Sequence, residues 1–189
     1  MHNQIELNAT MRTILIDWLV EVHAKFRLQA ETLYLCVNII DRYCAATAVD
    51  REEIQLVGVT ALLLASKYEE IYPPEVRDCV YITDRAFTRQ EVLDMELEIL
   101  RVLEFKMSVP TAYPFLQRFL SITEASQTMK MAANYYMDRV LQEYVFLEFR
   151  PSLVAAAAVC LAINHPEIRE MDELNGKNPG LVSCHDGVI

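Results

Sequence analysis

The residues best suited to chemistry in this chain are four histidines, five cysteines and one acidic pair. His2, His23, His165 and His185 include no two spaced by four and no HExxH, so no metal site is expected of them. Cys36, Cys44, Cys79, Cys160 and Cys184 form no CxxC. Three of the cysteines fall in apolar helical patterns, which predicts buried thiols in a reducing compartment rather than disulfides or a metal centre. Glu69-Glu70 ends a helical pattern, where carboxylates are commonly solvated, so it reads as surface rather than as an acid/base dyad. No GxSxG occurs, and Gly58 is the only glycine before Gly176, whereas a phosphate or dinucleotide cradle needs several. With no catalytic constellation, the expectation is a non-enzyme without cofactor, and binding surfaces carry the functional question.

Charge and hydropathy narrow the partners. The formal net charge is −10, from 17 Lys and Arg against 27 Asp and Glu, which repels a polyanion and disfavours nucleic acid. The longest apolar runs, Leu56 to Ala65 and Leu153 to Ile163, are too short to cross a bilayer. No basic, then apolar, then small-residue leader opens the sequence, so neither export nor a membrane partner is expected.

The elements that must position any binding surface are helices. Met11, Ile14, Leu15, Trp18, Leu19, Val22 and Phe26 mark one face of a helix over 10–28, with Asn8 or Thr10 as its cap. A second pattern covers 31–45. Asp50 with Glu53 resembles a capping box opening a third helix, whose run LVGVTALLLA is apolar around its circumference and belongs at the centre of a bundle. Pro73 and Pro74 then precede a short helix to about Tyr81. Thr88 with Glu91 forms a second capping box, opening a helix to about Glu104. Further helices are expected at 111–122, 125–146 and 151–164, the last with Pro151 in its first turn. From residue 166 an irregular tail is expected, and no strand-like alternation competes anywhere.

A shift of 97 residues aligns three of these helices with three others. Trp18, Leu19 and Val22 fall on Phe115, Leu116 and Phe119, Asp41-Arg42 falls on Asp138-Arg139, and Leu56, Val57, Ala61 and Ala65 fall on Leu153, Val154, Ala158 and Ala162. That predicts a duplicated all-α bundle wrapped around a central helix, with units at 1–107 and 108–165, the second incomplete. Gly58, whose counterpart is Ala155, reads as a close-packing site in the central helix of the first unit. On the first helix, Ile16 and Val20 widen the apolar surface beyond one stripe. Core packing and a docking surface for short apolar-basic peptides are both open readings of that face.

The stretch MRTILIDWLVEVHAKFRL, followed by ETLYLCVNIIDRY, IQLVG, LLLASKYEEIYPPEV and VYITD, closely resembles a cyclin, most of all a mitotic B-type cyclin. The likeness runs from about Ile5 to Ala162. It implies two tandem cyclin folds, and a regulatory subunit in nucleus and cytoplasm that binds and activates a cyclin-dependent Ser/Thr kinase at G2/M. Lys67 and Glu96 fall on the family's kinase-gripping pair, and Phe105 and Met107 on the apolar residues packed against the same kinase helix. Met11, Ile14, Leu15, Trp18, Glu21, Ile54 and Gln55 match the family's patch for RxL-type segments of substrates and inhibitors. Arg12 and Asp41 match an internal salt bridge. RTIL at 12–15 and RPSL at 150–153 fit an RxxL degradation motif by letters but read as core. The alternative function is a transcription factor IIB-like tandem cyclin fold that binds DNA, which the net charge opposes.

Overall fold

A computed structural model describes Gln4 and residues 7–174. It contains α1 (Ala9–Phe26), α2 (Ala30–Ala46), α3 (Ile54–Glu69), α4 (Val76–Ile82), α5 (Arg89–Val102), α6 (Ala112–Ile122), α7 (Gln127–Gln142), α8 (Pro151–Asn164) and α9 (Pro166–Leu174). A single 3-10 segment, Tyr144–Glu148, lies between α7 and α8. No strand occurs among the described residues. The chain divides into two compact units, Met1–Thr111 with Gln142–Tyr144, and Ala112–Leu141 with Val145–Ile189.

In the first unit every residue of α3 from Leu56 to Ser66 is buried, as a helix apolar on all sides requires. Helices α1, α2, α4 and α5 each pack against it, giving a five-helix bundle around a central helix. Helices α1 and α5 turn stripes such as Leu15, Leu19 and Val22, or Val92, Met95 and Ile99, inward, whereas α2 is buried on all sides from Thr32 to Val37 and α4 buries Cys79. At Gly58 the axes of α1 and α3 come close. A Cβ built there would sit 2.7 Å from Leu15 Cδ1 and 3.3 Å from Leu15 Cγ, so hydrogen is the substituent that fits without a shift.

Capping follows the sequence at two ends and departs at a third. Asn8 accepts a hydrogen bond from the Met11 amide at 2.9 Å, and Thr88 and Glu91 close a complete capping box on α5. Asp50 and Glu53 do not make one. The Glu53 amide bonds the Asp50 carbonyl at 3.0 Å in a turn, and α3 starts only at Ile54 with no side-chain cap. Helix α3 is held by burial instead.

Arg12 and Asp41 tie α1 to α2. The guanidinium grips the carboxylate through Nε to Oδ1 at 2.6 Å and Nη2 to Oδ2 at 2.8 Å, and Nη1 donates to the Gln142 carbonyl at 3.3 Å. Arg12 is buried and Asp41 nearly so, so the pair excludes water and its two-pronged geometry fixes the rotation of α1 against α2.

In the second unit α6 packs on α8, as α1 packs on α3. Helices α7 and α8 begin 97 residues after α2 and α3, in agreement with the repeat. Burial of α8 is less complete. Ala155, Ala158, Val159, Ala162 and Ile163 are inside, but Leu161 is exposed and Leu153 is 46% exposed, so RPSL is not the core element expected. Helix α7 stops at Gln142 rather than near 146, because Tyr144–Glu148 buries no side chain and has no face to hold it helical. The expectation of an irregular tail from 166 is corrected for its first part. Pro166 and Glu167 suit a helix start, and α9 packs on α8 with Ile168 buried. Residues 175–189, including Cys184, lie outside the described residues.

Cys36, Cys44 and Cys79 are buried free thiols. Burial is the first cause that raises their pKa, to about 11 for Cys44 and about 12 for Cys79, which keeps the thiols protonated.

Two substitutions test this packing. Gly58→Ala gains about 1 kcal/mol of helix propensity but crowds Leu15, and overpacking costs about 1–3 kcal/mol, so a net loss near ~1 kcal/mol is expected in urea unfolding. An unchanged midpoint would show that α1 yields freely. Asp41→Ala leaves Arg12 buried with its charge uncompensated and should cost about 3 kcal/mol, whereas a loss below ~1 kcal/mol would mean that water reaches the guanidinium.

Candidate functional site

Because α3 is sealed from Leu56 to Ser66, its last turn is where its side chains first meet water, and Lys67 stands there. Lys67 Nζ meets Glu96 Oε1 of α5 at 2.5 Å. The Lys67 side chain is 44% exposed and that of Glu96 only 13%. The acid is thus already largely withdrawn from water, while the ammonium keeps donor directions open to a partner. Tyr68, Ile71 and Tyr72 follow as exposed apolar groups, and Leu97 adjoins Glu96 in sequence and is exposed too. The ion pair is thus flanked in sequence by exposed aromatic and aliphatic groups.

Phe105 stands on the turn after α5. Glu104 and Phe105 both take left-handed backbone angles, φ 52° and 57°, and the Phe105 amide closes back on the Leu100 carbonyl at 2.8 Å. The reversal leaves the Phe105 ring 65% exposed. It also brings Met107 back into the core cluster, 9% exposed, beside the buried Leu103 in sequence. Met107, which the resemblance sets with Phe105 against the same kinase helix, is itself largely buried, because Leu103 and Met107 both anchor inward and the residues between them project.

The acidic pair has a function that local sequence did not reveal. Glu70 Oε1 accepts from the Gln29 amide at 2.7 Å and from Thr32 Oγ1 at 2.5 Å, and so caps α2, whose own N-cap residue Gln29 makes no side-chain cap bond. A carboxylate at a helix N-terminus is favoured by the unpaired amides and the helix dipole. Glu70 is therefore structural rather than merely solvated. Glu69 remains exposed, its pKa pushed up by partial desolvation and then by Glu31 and Glu70. A capping partner 38–41 positions away leaves no local signature in sequence.

The residues assigned to the peptide-docking patch lie on α1 and the first turn of α3, two helices that pack together. Ile14 is 65% exposed and Glu21 is exposed; Met11, Trp18, Ile54 and Gln55 are half-buried, and Leu15 is buried. Met11, Trp18 and Ile54 rest against the core cluster that includes Leu15. Leu15, pressed on Gly58, therefore anchors α1 under a patch topped by Ile14, with Glu21 as an acid on the same helix. An apolar surface with an acidic edge suits a short segment carrying leucine and arginine. Arg12 and Asp41, as described, are internal. No group of three or more His, Cys, Asp or Glu residues able to hold a metal occurs among the described residues.

Comparison with known proteins shows which sequences and folds the chain is similar to. Residues 1–108 match the family described as cyclin, N-terminal domain, and residues 110–175 match cyclin, C-terminal domain. The chain is 51% identical over 162 residues to G2/mitotic-specific cyclin-2 of Medicago sativa, covering 86% of this chain and 49% of that protein. It is also 51% identical to Cyclin-B2-1 of Oryza sativa subsp. japonica, covering 86% of this chain and 39% of that protein. The chain thus spans about half, or less, of the length of these relatives. Among solved structures, a viral cyclin from herpesvirus saimiri superposes with a TM-score of 0.77 at 23% identity, over 90% of this chain and 79% of that one, which supports the fold.

Proposed function

The chain belongs to the cyclin family, and from that premise we propose that it binds and activates a cyclin-dependent Ser/Thr kinase, docks substrates for it, and serves mitotic progression. The observation that carries this reading is the Lys67–Glu96 pair at the exit of a buried helix, with the exposed Phe105 on the turn after α5. The chain's relatives, named as G2/mitotic and B-type cyclins, support the cell-cycle stage. Residence in nucleus and cytoplasm goes with it.

The mechanism follows from what such a surface does to a mobile helix. Lys67 donates to backbone carbonyls or carboxylates at the end of the kinase's regulatory helix, and Glu96 accepts from its amides. Phe105 fills an apolar face of the same helix. Bound this way, the kinase helix is held inward, where its glutamate pairs with the lysine that positions ATP and the activation loop opens. The chain supplies no reacting group, so its contribution is differential affinity for the active conformation. The α1 patch acts separately, raising the local concentration of substrates that carry an RxL-type segment.

Two measurements test the two surfaces independently. The Lys67→Ala, Glu96→Ala double variant is expected to weaken kinase binding by about 30-fold and to abolish activation at submicromolar chain, while keeping its helical circular dichroism. Full activation by this variant would refute the assignment. Trp18→Ala should lower phosphorylation of an RxL-bearing protein substrate by about tenfold and leave a short peptide lacking the motif unaffected. Equal losses on both substrates would show that α1 contributes only to stability.

A further inference from the structure

The turn carrying Phe105 ends α5 with the backbone device that also ends α4, where Asp84 and Arg85 are left-handed and the Arg85 amide bonds the Val80 carbonyl at 2.9 Å. Two successive residues with side chains, Glu104 and Phe105, are left-handed, a conformation that costs of the order of a kcal/mol for each non-glycine residue. Such a turn persists only where its surroundings hold it. From below it is held by the buried Leu103 and Met107 and by the amides of Phe105 and Lys106, which bond the Leu100 and Leu103 carbonyls at 2.8 and 2.9 Å. Lys106 Nζ pairs with Glu104 across the turn. A clamp from another helix completes the set: Arg42 Nη1 of α2 donates to the Lys106 carbonyl at 2.9 Å, across 64 residues of sequence.

Arg42 immediately follows Asp41, which Arg12 holds, and precedes Tyr43, whose hydroxyl donates to Glu98 Oε1 of α5 at 2.9 Å. The residues on both sides of Arg42 are thus fixed to neighbouring helices. Its guanidinium reaches the turn from a rigid base, and the carbonyl it holds belongs to the residue after the exposed ring.

We propose that Arg42 is a positioning residue for kinase binding, holding the Glu104–Met107 turn through the Lys106 carbonyl so that Phe105 is presented in one orientation before a partner arrives. The inference rests on the kinase-binding reading above and adds to it a residue outside the contact surface. Without the clamp the turn samples other conformations, and binding must select the competent fraction, which lowers apparent affinity by that fraction.

A double-mutant cycle on the full chain tests it, with affinity for a cyclin-dependent kinase measured by calorimetry. Phe105→Ala is expected to weaken binding about 30-fold, as loss of an aromatic anchor does. Arg42→Ala is expected to weaken it about fivefold, the scale of one net hydrogen bond. The double variant should bind no worse than Phe105→Ala alone, because an unclamped turn without its ring has nothing left to misplace. Arg42→Lys, which retains a donor, should restore most of the affinity. Multiplicative losses in the double variant, or wild-type affinity for Arg42→Ala, would overturn the proposal. Should Arg42→Ala fail to fold, Arg42→Met keeps the aliphatic stem and runs the same cycle. A wild-type chain that binds no kinase overturns the kinase reading and this inference with it. Wild-type binding with independent losses overturns the inference alone.

Discussion

Everything in the first unit follows from a helix that has no outward side. From Leu56 to Ser66, α3 offers water nothing, so four other helices must enclose it. That enclosure forces a division of labour along α3 itself. Its middle specifies packing down to the absence of one methyl at Gly58. Its final turn emerges with Lys67, which meets α5, and Glu70, which caps α2. Polar groups at the exit of a sealed helix are held by the elements that seal it, so their placement is as rigid as the core.

The second unit shows the same logic at lower coverage. Helix α8 is even more uniformly apolar than α3 by sequence, yet Leu153, Ala157 and Leu161 remain exposed among the described residues while Ala155, Ala158 and Ala162 are buried. Alanine-rich surfaces allow close approach but bury little area per residue, so α8 gains less from each contact than α3 gains from its leucines. Two helices alike in pattern thus differ in how firmly they are held.

Much of this was legible in the sequence where the cause is local. Apolar spacing placed α1 through α8 to within a few residues, the Thr88–Glu91 box was read correctly, and a lone glycine in an apolar helix marked the α1–α3 crossing. Four features resisted because their causes are distant or compete. Asp50 and Glu53 have the letters of a capping box, but a backbone turn takes the Glu53 amide first. Glu70 looks like a surface acid until the fold brings Gln29 and Thr32 to it. Met107 and Phe105 are two positions apart and look alike as apolar residues, and only the left-handed turn sends one inward and the other out. Helix α9 rests on a proline start and one buried isoleucine, too little for a periodic signal. Lys67 and Glu96, which the resemblance to cyclins singles out, hold each other between α3 and α5.

The exposure difference within that pair fixes the order in which costs fall during association. Glu96, already drawn out of water against Lys67, was dehydrated when the bundle folded, at the expense of the protein's own stability. An encounter therefore begins with a half-dry acid and a still-hydrated ammonium, and the shell left to strip belongs mainly to the lysine. Salt in the medium acts on that exposed cation and on the approach it steers, more than on the acid behind it. In the proposed kinase complex this gives the chain a polarity in time as well as in charge: one partner of the ion pair loses its water at folding, the other on binding.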